Sequence, residues 1–347
     1  MLTGGAEHIV VELSLALKKR GHEIGVALFD GEDTPFKQQL IDGGIKVYSF
    51  YKKGNVYNPF NIYKLIRVMQ HYDVVHSHNS SPQFFVALAN VVCHKLLITT
   101  EHSTNNRKRN MKVFRRIDVW MYKQYSFVVC ISDVAKQILC TYLKITNNVV
   151  VINNGIDVDA IHHALPLDNE KLSRQFVVTM VAGFREAKDQ DTLVRSLTSL
   201  PSHFVVWLVG IGTREAEIKQ LVTQLSLQQR VRFWGLRMDV PRILKTSDVI
   251  VMSSHWEGLS LSNLEGMAAG KPFVASNVDG LRQITSGAGL LFPEGDYKSL
   301  AAILQRLHDD KSFYTETAQK CYVRAKEYDV NKMVDQYEAL YNKMVGQ

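Results

Sequence analysis

Four cysteines in 347 residues are too few, and too irregularly spaced, to staple this chain. Cys93, Cys130, Cys140 and Cys321 form no C-x-x-C pair, and three sit in apolar runs such as Phe127-Val128-Val129-Cys130-Ile131. They read as reduced core thiols of a cytoplasmic protein rather than a disulfide frame or a zinc site. Long hydrophobic runs are missing too. The longest candidate, residues 84–93, is about half of the roughly 18–20 residues that a spanning helix needs, and it contains Asn90. No basic-then-apolar signal pattern opens the sequence, which leaves only peripheral contact with a membrane. Eight prolines and 21 glycines exclude collagen-like and low-complexity classes. Charge of one sign is scarce: 41 Lys+Arg face 34 Asp+Glu, and residues 1–165 hold 19 and 13 of these, so most of the net +7 lies in the first half. A surplus of that size suits an anionic membrane surface or an acidic substrate as readily as nucleic acid, or simply a solvated surface.

What is there is a globular composition, 46% hydrophobic and 22% charged, long enough for about two domains. Short β-branched apolar runs recur between amphipathic stretches: 23–29, 47–50, 74–77, 96–99, 127–131 and 149–152, then 177–181, 203–209, 231–234, 249–253, 273–275 and 289–291. Strands alternating with helical patterns predict two α/β domains, each a parallel sheet covered on both faces. The segment Leu165-Pro166-Leu167-Asp168-Asn169-Glu170 has the punctuation of a linker, giving domains over 1–165 and 166–327. Helical spacing of Met333, Tyr337, Leu340, Tyr341 and Met344 predicts a last helix within 328–347. Ligands of open α/β sheets bind beyond the carboxyl ends of the strands, so two such sheets facing each other predict a site in a cleft between domains.

The richest loop is His255-Trp256-Glu257-Gly258-Leu259-Ser260-Leu261-Ser262-Asn263-Leu264-Glu265-Gly266-Met267-Ala268-Ala269-Gly270-Lys271-Pro272, after the run 249–253. Ser260 and Ser262 suit the cap of a short helix that Gly270 and Pro272 end. Free N–H groups of Leu259, Ser260 and Leu261 would meet a phosphate at the positive helix end. Glu257 and Glu265 would accept hydrogen bonds from sugar hydroxyls. Taken alone, the segment is equally an ordinary surface loop with a solvated Glu pair.

This passage resembles the E-x7-E motif of family 4 of the retaining glycosyltransferases, whose architecture of two Rossmann-like domains is called GT-B. Further resemblances follow in order along the chain. Gly4-Gly5-Ala6-Glu7 is similar to the family's GG-A-E loop, Val75-His76-Ser77-His78-Asn79 to its V-H-x-H run, and Thr99-Thr100-Glu101-His102-Ser103 to its T-x-H segment. Ile152-Asn153-Asn154-Gly155-Ile156-Asp157 resembles N-G-I-D, and Leu208-Val209-Gly210-Ile211-Gly212 resembles V-G-x-G. The resemblance implies a retaining transferase that moves a sugar from a UDP- or GDP-sugar to a hydroxyl of a saccharide or lipid-linked acceptor, in polysaccharide or glycolipid biosynthesis. It implies no metal or other cofactor, and nucleic acid drops out as a partner.

The resemblance also implies roles. Glu257 would approach the hydroxyls of the transferred sugar and Glu265 those of the ribose. Gly5, Lys188 and the amides of Leu259, Ser260 and Leu261 would hold the pyrophosphate, with Arg185 beside them and Gly183 and Gly210 in the donor loops. The backbone of Leu236 and Arg237 would meet the nucleobase edge, and His102 would lie near the acceptor and reacting centre. The last helix would return to the first domain.

Two departures stand out. The family usually has Arg five residues before the Lys, and here that place is Gly183; Arg185 either replaces it or is a solvated turn residue. Family members also carry a strand before the GG loop, where this sequence has Met1-Leu2-Thr3. By the strand order 3-2-1-4-5-6 the absent strand is central in the first sheet, so the true start is expected upstream of Met1, or else the protein is truncated and less stable.

Other features have plainer readings. Asp157-Val158-Asp159 and Asp189-Gln190-Asp191 look like D-x-D metal sites, yet one lies in the N-G-I-D turn and the other at a helix start that favours acids. His76 and His78 are expected on opposite faces of a strand end, His76 in the core and His78 toward the cleft, which excludes a chelate. The cluster Arg107-Lys108-Arg109-Asn110-Met111-Lys112-Val113-Phe114-Arg115-Arg116 is either a basic amphipathic patch for the inner face of an anionic membrane or a solvated face. The competing functions are a nucleotide-sugar epimerase or phosphorylase of the same fold, and a catalytically inactive scaffold.

Overall fold

The computed structural model describes residues 5–51, 56–102, 112–144, 147–257 and 261–346. The chain divides into two units: unit 1 is Met1–Gly155 with Val330–Gln347, and unit 2 is Ile156–Asp329.

Unit 1 runs α1 (Gly5–Lys19), β1 (Gly25–Leu28), α2 (Pro35–Asp42), β2 (Lys46–Ser49), α3 (Phe60–Met69), β3 (Val74–His78), α4 (Ser80–Cys93), β4 (Leu96–Glu101), α5 (Lys112–Tyr122), β5 (Phe127–Cys130), α6 (Asp133–Leu143) and β6 (Val149–Val151). Local chemistry sets several helix starts. The Thr34 hydroxyl accepts from the Lys37 N–H just ahead of Pro35, and Ser132 accepts from Ala135. β3-β4-β5-β6 form one parallel sheet, whereas β1 and β2 form a separate parallel pair.

Unit 2 runs α7 (Val158–His162), β7 (Phe176–Val181), α8 (Gln190–Ser196), β8 (Phe204–Val209), α9 (Glu215–Gln224), β9 (Val231–Gly235), α10 (Val240–Thr246), β10 (Val249–Met252), α11 (Leu261–Ala268), β11 (Phe273–Ser276), α12 (Leu281–Thr285), β12 (Leu290–Phe292), α13 (Tyr297–Asp309) and α14 (Lys311–Lys326). Its six strands form one parallel sheet in the order β12-β11-β10-β7-β8-β9. β8 and β10 are buried at every position, which is why they read as unbroken apolar runs. Each large side chain buried there contributes about 1.5–3 kcal/mol. Strand order reverses between β7 and β10.

The expected linker at 165–170 lies inside unit 2, and the chain passes between units at Gly155–Ile156 instead. The reason is local anchoring: the Leu167 N–H donates to Thr246 Oγ1 at 2.8 Å, and the Arg242 guanidinium donates to the carbonyls of Leu165 and Pro166. The last helix, α15 (Val330–Val345), belongs to unit 1. It buries Met333, Val334, Tyr337 and Met344, and its Tyr337 Oη lies 3.0 Å from Thr100 Oγ1 on β4. All four cysteines are free. Among the described residues no helix is long and apolar enough to cross a membrane.

Candidate functional site

The reversal in unit 2 is a topological switch point, the place where loops at the carboxyl ends of an open sheet leave a crevice. Because β7 and β10 are hydrogen-bonded neighbours, the loops that follow them meet. The His255 N–H donates to the Ala187 carbonyl at 2.9 Å, and Ser253 Oγ donates to the Asp189 carbonyl at 2.7 Å. These bonds set Lys188, at the end of the short turn Glu186–Lys188, against Glu257: Lys188 Nζ forms an ion pair with Glu257 Oε1, which also accepts from Ser254 Oγ at 3.3 Å. Burial, and secondarily the charge of Arg185, pushes the Lys188 ammonium down to about 8.

Glycine shapes the neighbouring loops. A Cβ on Gly210 (φ +140°) would stand 2.2 Å from the Ala182 carbonyl oxygen, and one on Gly212 would stand 2.3 Å from that of Phe184. The loop after β8 therefore lies backbone to backbone on the loop after β7, an approach that a side chain forbids. Gly183 differs: a Cβ there meets nothing closer than 3.4 Å, and Arg185 Nε lies 3.7 Å from it. Arg185 thus folds back beside the position where the family places its arginine. The Gly210 N–H donates to the Gly235 carbonyl at 2.8 Å and ties in the loop after β9. There the Leu236 side chain is exposed, and Arg237 is held by both oxygens of Asp239 at 2.7 and 2.6 Å. Leu261 is buried at the start of α11, and Glu265 lies farther along that helix. Leu259 and Ser260 fall outside the described residues.

Sequence reading passed over the serines of this site. Ser254 supports Glu257, and Ser276 Oγ donates to the Ser254 carbonyl at 2.5 Å; a Ser-Ser pair directly after an apolar strand was the available signal. His255 was quoted only within its motif, yet its Nδ1 lies 2.7 Å from Glu294 Oε1. The D-x-D pairs are occupied by structure. Asp157 caps α7, Asp189 caps α8, and Asp191 pairs with Arg214 at 3.0 Å. Among the described residues no group of three His, Cys, Asp or Glu side chains is arranged to hold a metal ion.

Gly5 and His102 belong to unit 1, Gly5 as the exposed first residue of α1. His102 follows β4, with its Nε2 2.9 Å from His78 Nδ1. His76 and His78 are not on opposite faces: their ring centroids are 4.1 Å apart, because residues two apart on a strand point the same way. His76 bridges Tyr341 Oη on α15 and Thr100 Oγ1 on β4, each at 2.7 Å. Burial pushes all three imidazoles down, His76 to about 3, His102 to about 4 and His78 well below its ordinary value, so the cluster is uncharged at neutral pH. Of the basic cluster 107–116, residues 107–111 fall outside the described residues. Arg115 is taken up by a 2.8 Å bond to the Tyr142 carbonyl, while Arg116 is exposed with Ile117 and Trp120.

Two family models match in series: Glycosyltransferase Family 4 over residues 3–160, and Glycosyl transferases group 1 over 166–328. The chain is similar to the UDP-Gal:alpha-D-GlcNAc-diphosphoundecaprenol alpha-1,3-galactosyltransferase of Escherichia coli, with 28% identity over 82% of this chain and 79% of that one. It is also similar to the phosphatidyl-myo-inositol mannosyltransferase of Mycolicibacterium smegmatis, with 24% identity over 99% and 91%. Among solved structures, Anabaena HepE in complex with UDP superposes with a TM-score of 0.85 at 23% identity, covering 99% of this chain and 97% of that one. That likeness establishes the fold.

Proposed function

This chain belongs to the group 1 glycosyltransferases of the GT-B fold, and we propose that it moves a sugar from a UDP-sugar to a hydroxyl of a lipid-diphosphate-linked saccharide, with retention at the anomeric carbon. The observation that carries this reading is the ion pair of Lys188 with Glu257, beside Arg185, at the switch point of unit 2. As the bond from the anomeric carbon to the diphosphate breaks, negative charge gathers on the departing oxygens. Lys188 offers them a point charge and Arg185 a planar fork. With two cations in this role the reaction needs no metal.

Glu257 accepts hydrogen bonds from the sugar hydroxyls and Glu265 from the ribose; the backbone at Leu236 and Arg237 borders the base. A double displacement through an enzyme nucleophile places two carboxylates about 5–5.5 Å apart across the sugar. Here Glu257 is neutralised by Lys188 and is a poor nucleophile. A front-face path fits better: the departing phosphate oxygen takes the proton of the acceptor hydroxyl while the new C–O bond forms on the same side. His102, uncharged, serves the acceptor.

The acceptor class is supported by the name of the Escherichia coli relative, and the donor class by neighbours solved with UDP and UDP-glucose. Exposed Arg116, Ile117 and Trp120 on α5 suit contact with an anionic lipid surface on the inner face of the membrane. The test is a panel of UDP- and GDP-sugars against a lipid-diphosphate saccharide, reading product mass and anomeric configuration by NMR. Acceptor-dependent transfer from a UDP-sugar with retention is expected. Isomerised sugar without acceptor, a requirement for inorganic phosphate, or no nucleotide binding would each overturn the reading.

A further inference from the structure

Lys188 is followed directly by Asp189, whose backbone lies in the left-handed region at φ +39° and ψ 54°. A residue with a side chain is uncommon there, and it persists only where its surroundings over-determine it. Bonds on both sides of the lysine supply that constraint. The Asp189 carboxylate caps α8 by accepting from the Thr192 N–H at 3.2 Å, and its carbonyl accepts from Ser253 Oγ at 2.7 Å. On the other side, the Ala187 carbonyl accepts from the His255 N–H at 2.9 Å. The turn that presents Lys188 is therefore fixed at both ends by Ser253 and His255, which follow β10.

The His255 side chain ties in a further loop. Its Nδ1 lies 2.7 Å from Glu294 Oε1, and its Nε2 lies 3.8 Å from Asp189 Oδ1. A carboxylate only accepts, so Nδ1 carries a hydrogen toward Glu294. Glu294 stands just beyond β12 and Asp189 beyond β7, on the strands that flank β11 and β10 in the sheet. One imidazole thus spans the loops of β7, β10 and β12, and the end of β11 joins them through Ser276. Asp189 depends on that ring. It is buried, and its Oδ2 has no hydrogen-bond partner among the described residues. Burial pushes its carboxyl up, while the bonds from Thr192 and the facing imidazole act the other way.

We infer that His255 is a positioning residue: its imidazole, clasped between Glu294 and Asp189, locks the left-handed turn at Asp189 and so aims Lys188 at the diphosphate, with Glu294 as its anchor. The ring acts through the lysine and supplies no charge to the departing oxygens itself. Its part in catalysis rests on the sugar transfer proposed above, whereas the clasp on the turn does not. The leverage is geometric. A charge that stabilises a departing oxygen acts only from the right place, and a displacement of about 1 Å costs on the order of 10²-fold in rate. Lys188 has a flexible four-carbon stem, so the backbone from which it starts limits where the ammonium dwells, and Asp189 sets that start.

The test is a double-mutant cycle on the full chain, with kcat for sugar transfer and amide exchange over residues 185–190 measured on the wild type, His255→Ala, Lys188→Ala and the double variant. His255→Ala is expected to lower kcat about tenfold in the wild-type background and to speed the exchange. In the Lys188→Ala background the same truncation is expected to cost no further rate, because the group it aims is gone. A ring that merely stabilised the fold would cost the same factor in both backgrounds, and that result would overturn the inference. So would unchanged exchange in His255→Ala. Glu294→Ala tests the anchor at a side chain that is 49% exposed, where folding is not at stake. Slower transfer and faster exchange are expected there, and native values of both would remove Glu294 from the clasp. Near-native transfer by Lys188→Ala would overturn the reading of the site instead, and exchange then decides the clasp on its own.

Discussion

Lys188 and Glu257 are separated by 69 residues in the chain and joined by an ion pair at the switch point of unit 2. Sheet order makes this contact, since β7 and β10 are adjacent only because the strand order reverses there. The pair leaves two opposite charges poised where a sugar diphosphate would separate them, one for the phosphate and one for the hydroxyls.

Truncating either partner should therefore act on chemistry more than on folding. Lys188→Ala and Glu257→Ala are each expected to lower transfer by at least about 10²-fold. The side chains are only 19% and 10% exposed, so the charge left behind is mostly buried and some loss of Tm accompanies the loss of rate. Steady-state kinetics with a parallel melting curve checks this, and near-native turnover in either variant would remove both residues from the site.

The pH dependence follows from the charge state of Lys188. Its pKa is pulled down to about 8 by burial, so the amine becomes neutral as pH rises through that value, and stabilisation of the departing diphosphate fades. The kcat/KM profile should fall on its alkaline side near pH 8. Lys188→Arg keeps its charge over that range and should lose the alkaline limb, at some cost in the maximum rate. A limb that is unchanged in this variant would assign it to another group.

Glycines in the adjoining loops should respond oppositely to substitution. Gly210→Ala drives a methyl to 2.2 Å from a carbonyl oxygen at positive φ and should destabilise unit 2 by about 3 kcal/mol or more, read by urea unfolding. Gly183→Ala should be tolerated. Arg185→Ala should weaken UDP binding about tenfold by calorimetry, as expected for the loss of one charge-assisted contact. Adding Gly183→Arg to that variant should restore much of the affinity, and failure to do so would show that Arg185 does not substitute for the family's arginine.

Unit 1 should be sensitive to acid. His76 and His102 titrate in the folded state near 3 and 4, below the ordinary value of 6.5, and His78 is depressed too. Above pH 6.5 both folded and unfolded chains carry these imidazoles neutral, so their contribution is fully present. Between about 6.5 and 4 the unfolded chain takes up protons that the folded chain refuses, and stability falls by about 1.4 kcal/mol per pH unit for each histidine. His76→Gln should flatten the Tm profile over that window. An equally steep profile would place the acid lability in carboxylates instead.

How much was legible differs by level. The twelve strands among the described residues stand where the short apolar runs stand, and in β8, β10 and β11 burial at every position is what writes the unbroken apolar stretch into the local sequence. The capping role of Asp157 and the backbone approach at Gly210 also had local signatures. The shared face of His76 and His78 was equally local, and it was misread although the period of two along a strand dictates it. The segment 165–170 is held within unit 2 by Thr246 and Arg242 from nearly 80 residues away, since proline and acidic residues mark a turn without saying which unit holds it.

By itself, then, the sequence determined the elements, their α/β alternation and the loops where polar groups gather, since periodicity, capping and turn chemistry act over a few residues. Tertiary structure alone decided the pairing of Lys188 with Glu257, the return of Arg185 beside Gly183 and the division of the first sheet into two. Those depend on which strands become neighbours, and no short stretch of sequence carries that information.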